Sequence, residues 1–183
     1  MGGVLTQHLA EPVMVADATE ARFDAFVRVH RDKAVALAWQ LTGGDRSAAE
    51  DIVQEAFLRA YQGLDGFRDA SKLSTWFYRI VVRQAHNHRR WRSVRERGQR
   101  LLRRTPSSLS PPTSDFALQR RILQALDTLP RGQREVFVLV HLQDFTVREA
   151  SETLGKALGT VKSHLHRALA RLRRELDDLE ETP

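Results

Sequence analysis

Apolar residues recur at intervals of three and four along most of this chain, and nowhere do they alternate. That spacing collects side chains on one face of a helix and would scatter them over both faces of a strand, so it confines the fold to packed helices. The stripes are Phe23, Phe26, Val27, Ala34, Leu37, Ala38 and Leu41, ending at Gly43-Gly44; Ala49, Ile52, Val53, Ala56, Phe57 and Ala60; and Phe77, Ile80, Val81 and Ala85. Further on come Leu118, Ile122, Ala125, Leu126 and Leu129, stopped by Pro130, then Val161, Leu165, Ala168, Leu169, Leu172 and Leu176. The apolar run Val136 to Val140, inside 134–142, reads as a buried helix. One segment has no period: Thr105-Pro-Ser-Ser-Leu-Ser-Pro-Pro-Thr-Ser114 is a linker by composition.

The expectation is an all-α protein of two small helical domains joined by a flexible linker, the second containing a helix-turn-helix. The bounds are a flexible leader over 1–19, a first domain over 20–97, the linker over 98–116 and a second domain over 117–178. Ser47-Ala-Ala-Glu50 and Thr146-Val-Arg-Glu149 both have the form of a capping box, and Gly155 stands where a helix end needs a left-handed residue. Gly63 to Leu73 reads as a loop, and the helix after it is expected to dissolve into arginine-rich sequence beyond Trp91.

Composition narrows the chemistry. With no cysteine, disulfide scaffolds, cysteine–zinc sites and thiol catalysis are excluded together. No apolar run reaches membrane-span length, and Met1 to Glu20 lacks the pattern of a secretory signal, so no membrane insertion and a cytoplasmic location are expected. The net charge of +6 is concentrated: from Trp76 to Arg104 there are ten arginines against Glu96 alone, so the remainder is net acidic. A localised arginine segment points to a polyanion partner, with bidentate phosphate contacts and stacking available to it.

Within Ser74 to Arg92, Trp76, Arg79, Arg83, Asn87 and Arg90 share one face opposite the apolar stripe. Aromatic surface interleaved with guanidinium groups is chemistry that holds single-stranded or distorted nucleic acid, and equally describes a solvated basic helix with Trp76 tucked inward. In the second half, the short helix from Thr146, the Gly155 turn and the longer helix from about Ala157 have helix-turn-helix proportions. Thr160, Lys162, Ser163, His166, Arg167 and Arg171 face outward there, and no acid occurs from Lys156 to Arg174. Asp51, Gln54 and Glu55 form an acidic face that is either a protein-contact surface or an ordinary solvated one. His86 and His88, like His164 and His166, are two apart and diverge on a helix, so no metal is expected. No catalytic or nucleotide-binding motif is present, so neither an enzyme nor a cofactor is expected.

These residues carry a resemblance. Asp45-Arg-Ser-Ala-Ala-Glu-Asp-Ile-Val-Gln-Glu-Ala-Phe-Leu-Arg-Ala-Tyr61 resembles the "DAEDLVQEVFLRA" core of region two in bacterial RNA polymerase sigma factors, and Ser74-Thr-Trp-Phe-Tyr-Arg-Ile80 its "TWLYRI" element. Leu129-Pro-Arg-Gly-Gln-Arg-Glu-Val-Phe137 and Gly159-Thr-Val-Lys-Ser-His-Leu-His-Arg-Ala168 resemble the region four elements "LPxxxREVF" and "GTVKSRLHRA". Region two joined to region four by a short linker is the layout of the extracytoplasmic-function type, and the likeness runs from about Phe23 to Leu176.

The resemblance implies a factor that binds core RNA polymerase, recognises promoters and opens the −10 element. It implies docking on polymerase through Asp51, Gln54, Glu55 and Leu58. It implies −10 contacts, single-stranded DNA included, from Phe67, Arg68, Lys72, Ser74, Trp76, Tyr78, Arg79, Arg83, Asn87 and Arg90. It implies contacts to the duplex −35 element from Thr160, Lys162, Ser163, His166, Arg167 and Arg171, and control by an anti-sigma factor. Trp76 either stacks on DNA or braces its helix. Ser151, Lys156 and Ala157 depart from the family pattern, so a looser or differently packed turn is expected. The competing reading is a stand-alone helix-turn-helix regulator, which gives no task to the Asp51, Gln54 and Glu55 face.

Overall fold

The computed structural model describes residues 11–64, 70–100 and 114–180, with side chains for 20–64, 73–95 and 119–175. Among the described residues there is no strand. The helices are α1 (Glu11–Thr42), α2 (Arg46–Gln62), α3 (Ala70–Arg100), α4 (Ser114–Thr128), α5 (Arg131–Phe137), α6 (Val147–Leu154) and α7 (Leu158–Glu180). α5 runs on through a π-type turn, Val138–Leu142. The chain divides into two compact units, 1–32 and 33–183.

In the first unit Phe23 and Phe26 stack with ring centroids 6.2 Å apart, and Phe26 lies 4.3 Å from the His30 ring, an i,i+3 and i,i+4 ladder along α1. In the second unit, Ala34, Leu37, Ala38 and Leu41 of α1 are buried, as are Ile52, Val53 and Ala56 of α2 and Phe77, Val81 and Ala85 of α3. Phe57 stacks on Phe77 at 4.5 Å, joining α2 to α3. Toward the C-terminus the interior is Leu126 and Leu129, Val136, Val138 and Leu139, Ala150, and Val161, Ala168 and Leu172 of α7. Most of the apolar stripe residues expected from the sequence that fall among the described side chains are thus buried or half-buried.

A single arginine organises the joint between α4 and α5. Arg134 is buried and donates from Nε to the Leu126 carbonyl at 2.6 Å, and from Nη2 to those of Leu129 at 2.9 Å and Asp127 at 3.0 Å. Carbonyls at a helix end have no partner within the helix, and a cation there also opposes the negative end of the macrodipole. Burial, and after it the charge of Arg89, lower the Arg134 pKa. An arginine keeps its proton even so.

Several boundaries differ from the sequence expectation. α1 begins at Glu11, inside the span read as a leader, because Ala16, Ala18 and Glu20 favour helix without forming an apolar stripe. α2 is capped by Asp45, whose side chain accepts from the Ala48 amide at 3.0 Å; Ser47 is already in the helix, and Glu50 pairs with Arg46 instead of closing a capping box. α3 starts at Ala70, earlier than Ser74, since Leu73 is buried one turn before Phe77 and extends its stripe. It also continues to Arg100, because arginine is a good helix former and charge density alone does not end a helix. Of the residues assigned to the linker, 98–100 belong to α3 and 114–116 to α4, while 101–113 lie outside the described residues, as do 1–10. Ile122, expected inward, is exposed.

The Thr146–Glu149 capping box forms as expected. The Thr146 hydroxyl accepts from the Glu149 amide at 3.2 Å, and the Glu149 carboxylate accepts from the Thr146 amide at 2.7 Å. Those bonds hold the Glu149 pKa below the ordinary 4.5. Thr146→Ala is expected to destabilise the protein by about 1 kcal/mol near neutral pH. Because the folded-state pKa is depressed, the carboxylate's share of that stability is present above pH 4.5 and is lost as pH falls through the lowered value. Chemical denaturation of both proteins from neutral to acidic pH should therefore show their difference shrinking on the acid side.

Candidate nucleic-acid interface

α6, Gly155 and α7 form a helix-turn-helix. Gly155 takes the left-handed conformation, with φ of 61°. An L side chain is disfavoured there, which explains glycine at this position. The Gly155 amide donates to the Glu152 carbonyl at 3.2 Å and the Lys156 amide to the Ser151 carbonyl at 3.0 Å, closing the end of α6.

The residues that depart from the family pattern fasten this turn. The Ser151 hydroxyl donates to the Lys156 carbonyl at 2.6 Å, a bond that alanine could not make. The Lys156 ammonium reaches Glu135 Oε2 at 3.2 Å, and Arg131 Nε reaches the other carboxylate oxygen at 2.6 Å. Only 6% of the Glu135 side chain is exposed. A carboxylate so deeply placed needs both cations, and through them the turn is tied to α5. The expected loosening does not occur; the packing is different.

α7 turns Val161, Ala168 and Leu172 inward. Thr160, Lys162, Ser163, His166, Arg167 and Arg171 are all exposed along its outer side. Thr160, Lys162, Ser163, His166 and Arg167 fall in the first three turns of α7 and Arg171 one turn further on, all of them accessible. His164, between them in sequence, is half-buried instead. Its ring lies against Gly132 so closely that a Cβ added there would stand 2.5 Å from Cε1.

The α3 face is less uniform. Arg83, Asn87 and Arg90 are exposed along it, as predicted. Trp76 is half-buried with its ring edge over Gly63, where an added Cβ would meet Cη2 at 3.0 Å; it braces the end of α2. Ser74 is half-buried too. Tyr78 departs from expectation, being only 3% exposed: it follows Phe77 directly and packs edge-on against Phe145 at 5.0 Å. Burial pushes its phenol pKa well above the ordinary value. Arg79 is solvent-accessible yet engaged, its Nη2 donating to the Glu152 carbonyl at 2.6 Å and its Nε to that of Thr153 at 3.3 Å. Phe67 and Arg68, and the side chain of Lys72, lie outside the described residues.

On α2, Asp51, Gln54 and Leu58 are exposed and Glu55 is half-buried. Leu58 is 53% exposed and Tyr61, one turn further on, 46%, so the acidic face is edged by apolar surface. Glu55 is held by Arg59 at 2.7 Å.

Sequence reasoning missed Arg134, Glu135, Gly132 and Phe145. The neighbours of Gly132 and Phe145 are remote in the chain, and the bonds of Arg134 to carbonyls five to eight residues back follow no helical period. It also missed a cavity of about 350 Å³, lined by Leu41, Val82, His86, Arg90, Arg131 and Glu135 among others. Burial first, then the nearby Arg131, lower the His86 pKa there, favouring the neutral ring.

Comparison with known proteins adds to this geometry. The family profile "Sigma-70 region 2" matches residues 26–95, and "Sigma-70, region 4" matches 119–172. The chain is 33% identical over 155 residues to the RNA polymerase sigma-E factor of Streptomyces avermitilis, covering 85% of each. It is 32% identical over 171 residues to the ECF RNA polymerase sigma factor SigW of Bacillus subtilis, covering 85% of this chain and 91% of that one. Among solved structures, CnrH in complex with the cytosolic domain of CnrY shares the fold, with a TM-score of 0.70 at 24% identity over 91% of this chain and 96% of that one. The sigma factor RpoE in complex with the anti-sigma factor NepR, from Bartonella quintana, aligns with a TM-score of 0.69 at 25% identity, over 85% and 97%.

The contact of Gly132 with His164 gives a test of the packing behind α7. Gly132→Ala is expected to destabilise the protein by ~1–3 kcal/mol through overpacking. Adding His164→Ala should recover much of that loss in thermal melts, because it removes the atoms the new methyl group meets.

Proposed function

We propose a division of labour among the surfaces of this chain, which belongs to the sigma-70 family of RNA polymerase sigma factors and, within it, to the extracytoplasmic-function type. As such a factor it binds core RNA polymerase and directs it to promoters, where transcription starts. Residues 20–97 act as the polymerase-docking and −10 domain and residues 117–178 as the −35 domain, with 98–116 as the connection. α2 docks on polymerase through Asp51, Gln54, Glu55 and Leu58. α3 and the segment before it engage the −10 element, Arg83, Asn87 and Arg90 holding its backbone. Thr160, Lys162, Ser163, His166, Arg167 and Arg171 enter the major groove at −35.

The observation that carries this reading is the conjunction, in one chain, of an outward basic helix-turn-helix with a separate acidic and apolar helix face. A stand-alone operator binder has no use for the second. Tethering both DNA-binding halves to one large partner raises their effective concentration, so each contact needs only modest affinity. Unstacking a base costs a few kcal/mol, and stacking on aromatic or guanidinium surface returns ~1–3 kcal/mol per base, so strand opening calls for many simultaneous contacts. The chemistry is binding, and no catalytic step is assigned to the chain. It acts in the cytoplasm, where polymerase is, and none of the described helices is long and apolar enough to cross a membrane. Since RpoE of Bartonella quintana is found in complex with the anti-sigma factor NepR, we extend to this chain control by an anti-sigma factor.

In vitro transcription with purified core polymerase and a promoter library tests the reading: start sites that depend on this protein are expected, and their absence sinks it. Lys162→Ala and Arg167→Ala should each weaken −35-dependent binding by ~1–3 kcal/mol if they reach bases, or flatten its salt slope by about 1 if they hold phosphate, with core affinity unchanged. The double reversal Asp51→Arg and Glu55→Arg should do the opposite, lowering core affinity by roughly tenfold or more in fluorescence titrations.

A further inference from the structure

The cavity of about 350 Å³ lies among α1, α3 and α5, apart from the α2 and α7 surfaces. Its wall holds Arg89 and Arg90 of α3 and Arg131 and Arg134 of α5, against Glu135 as its single carboxylate. That carboxylate is already shared, with Arg131 Nε 2.6 Å from one oxygen and Lys156 Nζ 3.2 Å from the other. Leu41 and Val82, both buried, give the same wall an apolar patch, and the His86 ring and Ser93 complete it.

The cations are positioned but not neutralised. Arg134 is locked through Nε and Nη2 onto three carbonyls, which satisfies those donors and leaves its full charge in place. Among the described residues, Arg89 engages Asp127 through Nη1 alone and Arg131 engages Glu135 through Nε alone, while Arg90 enters no ion pair. Two titrating groups register the resulting field. The pKa values of Arg134 and His86 are both lowered, by burial first and next by Arg89 and Arg131 respectively. Guanidinium groups gathered around a space they do not fill suit an oxyanion, whose oxygens accept their paired N–H donors. Arg89 and Arg134 are fixed before any ligand arrives, so less ordering is lost on binding.

The space restricts what enters. Its volume falls at the small end of the ~300–1,000 Å³ typical of ligand pockets, which suits a small molecule rather than a polymer. A bare inorganic ion would leave Leu41 and Val82 uncovered, whereas an organic group attached to the anion would remove their surface from water. We propose that this cavity binds a small phosphate ester, its phosphate on Arg89, Arg90 and Arg131 and its organic part against Leu41 and Val82. Of the lining, only Arg90 is also assigned to −10 DNA, so occupancy can be measured on residues with no part in promoter binding.

Phenyl phosphate, adenosine monophosphate and inorganic phosphate are the probes, titrated by calorimetry into the full chain at constant ionic strength, with benzyl alcohol as the uncharged control. One site per chain is expected, with at least one ester bound about tenfold more tightly than inorganic phosphate and no binding of benzyl alcohol. Tighter adenosine monophosphate identifies a nucleotide; tighter phenyl phosphate identifies a simple aromatic ester. Inorganic phosphate bound as tightly as either ester, or no saturable binding, overturns the proposal. Arg131→Gln should weaken the better ester about tenfold. Because that change also removes one partner of Glu135, Ser93→Phe supplies a second arm: it keeps every charge and fills the space beside the half-buried Ser93. It should abolish ester binding in a protein that still melts cooperatively; undiminished binding means that the ester sits on exposed arginines, and the cavity assignment fails. The imidazole gives a local readout. Arg131 and Glu135 face His86 from α5 and Arg90 and Asn87 from α3, while α1 contributes the uncharged Leu41. The histidine resonance that disappears in His86→Gln should therefore shift on titration with the ester, and its pKa should rise as the anion offsets Arg131. A resonance that does not move places the ester elsewhere.

Discussion

Three carbonyls at the end of α4 converge on one buried guanidinium, and the arrangement of the C-terminal helices follows from that convergence. Without Arg134 the Leu129 carbonyl would lose its buried donor, at ~1–3 kcal/mol, while the Leu126 carbonyl would keep only the Leu129 amide at 3.2 Å. With it, the direction in which α5 leaves α4 is fixed by planar, five-donor geometry that lysine could not reproduce. The next residue, Glu135, is thereby set facing Arg131 and Lys156, and Lys156 holds the turn that aims α7. The orientation of α7 is thus inherited, through a short chain of charged contacts, from the end of α4.

A second, apolar line of contact runs from Phe57 through Phe77 and Tyr78 to Phe145. Each ring meets the next within normal aromatic-pair range, so α2, α3 and the loop before α6 share one hydrophobic assembly. The same helix that pairs with α2 therefore presents its neighbouring residues to the second half of the molecule. Through Phe77 and Tyr78, neighbours in sequence, α3 packs on both α2 and the loop before α6.

The sequence made some of this plain and hid the rest for identifiable reasons. The outward set on α7 was readable because the helix has a strong period and its polar side holds no acid. The Thr146–Glu149 box and Gly155 were readable because caps are local. Asp45 and Ser47 are both good capping residues, and only the backbone leading out of Gly43-Gly44 decides between them. Tyr78 looked like a surface aromatic because its cover, Phe145, lies far along the chain. Trp76 is compatible in sequence with stacking or bracing alike, because Gly63, which lies beneath its ring, is outside the helix that carries it. Ser151 and Lys156 read as weaknesses when matched to a pattern, yet each makes a bond that the usual residue could not.

The π-type turn at Val138–Leu142 has a consequence for how this second half is aimed. Such a turn accommodates one residue more than an α-turn, and in an α-helix one residue corresponds to about 100° of rotation. The chain leaves it through Asp144, in the left-handed region at φ of 55°, with the Phe145 amide returned to the Leu139 carbonyl at 2.9 Å. The turn behaves as a phase setting: its length, more than the identity of its side chains, decides whether Gln143 meets Gln40 of α1 and Phe145 meets Tyr78 of α3. Among proteins built on this plan, gain or loss of one residue at this point would redirect an entire domain surface while leaving every helix intact.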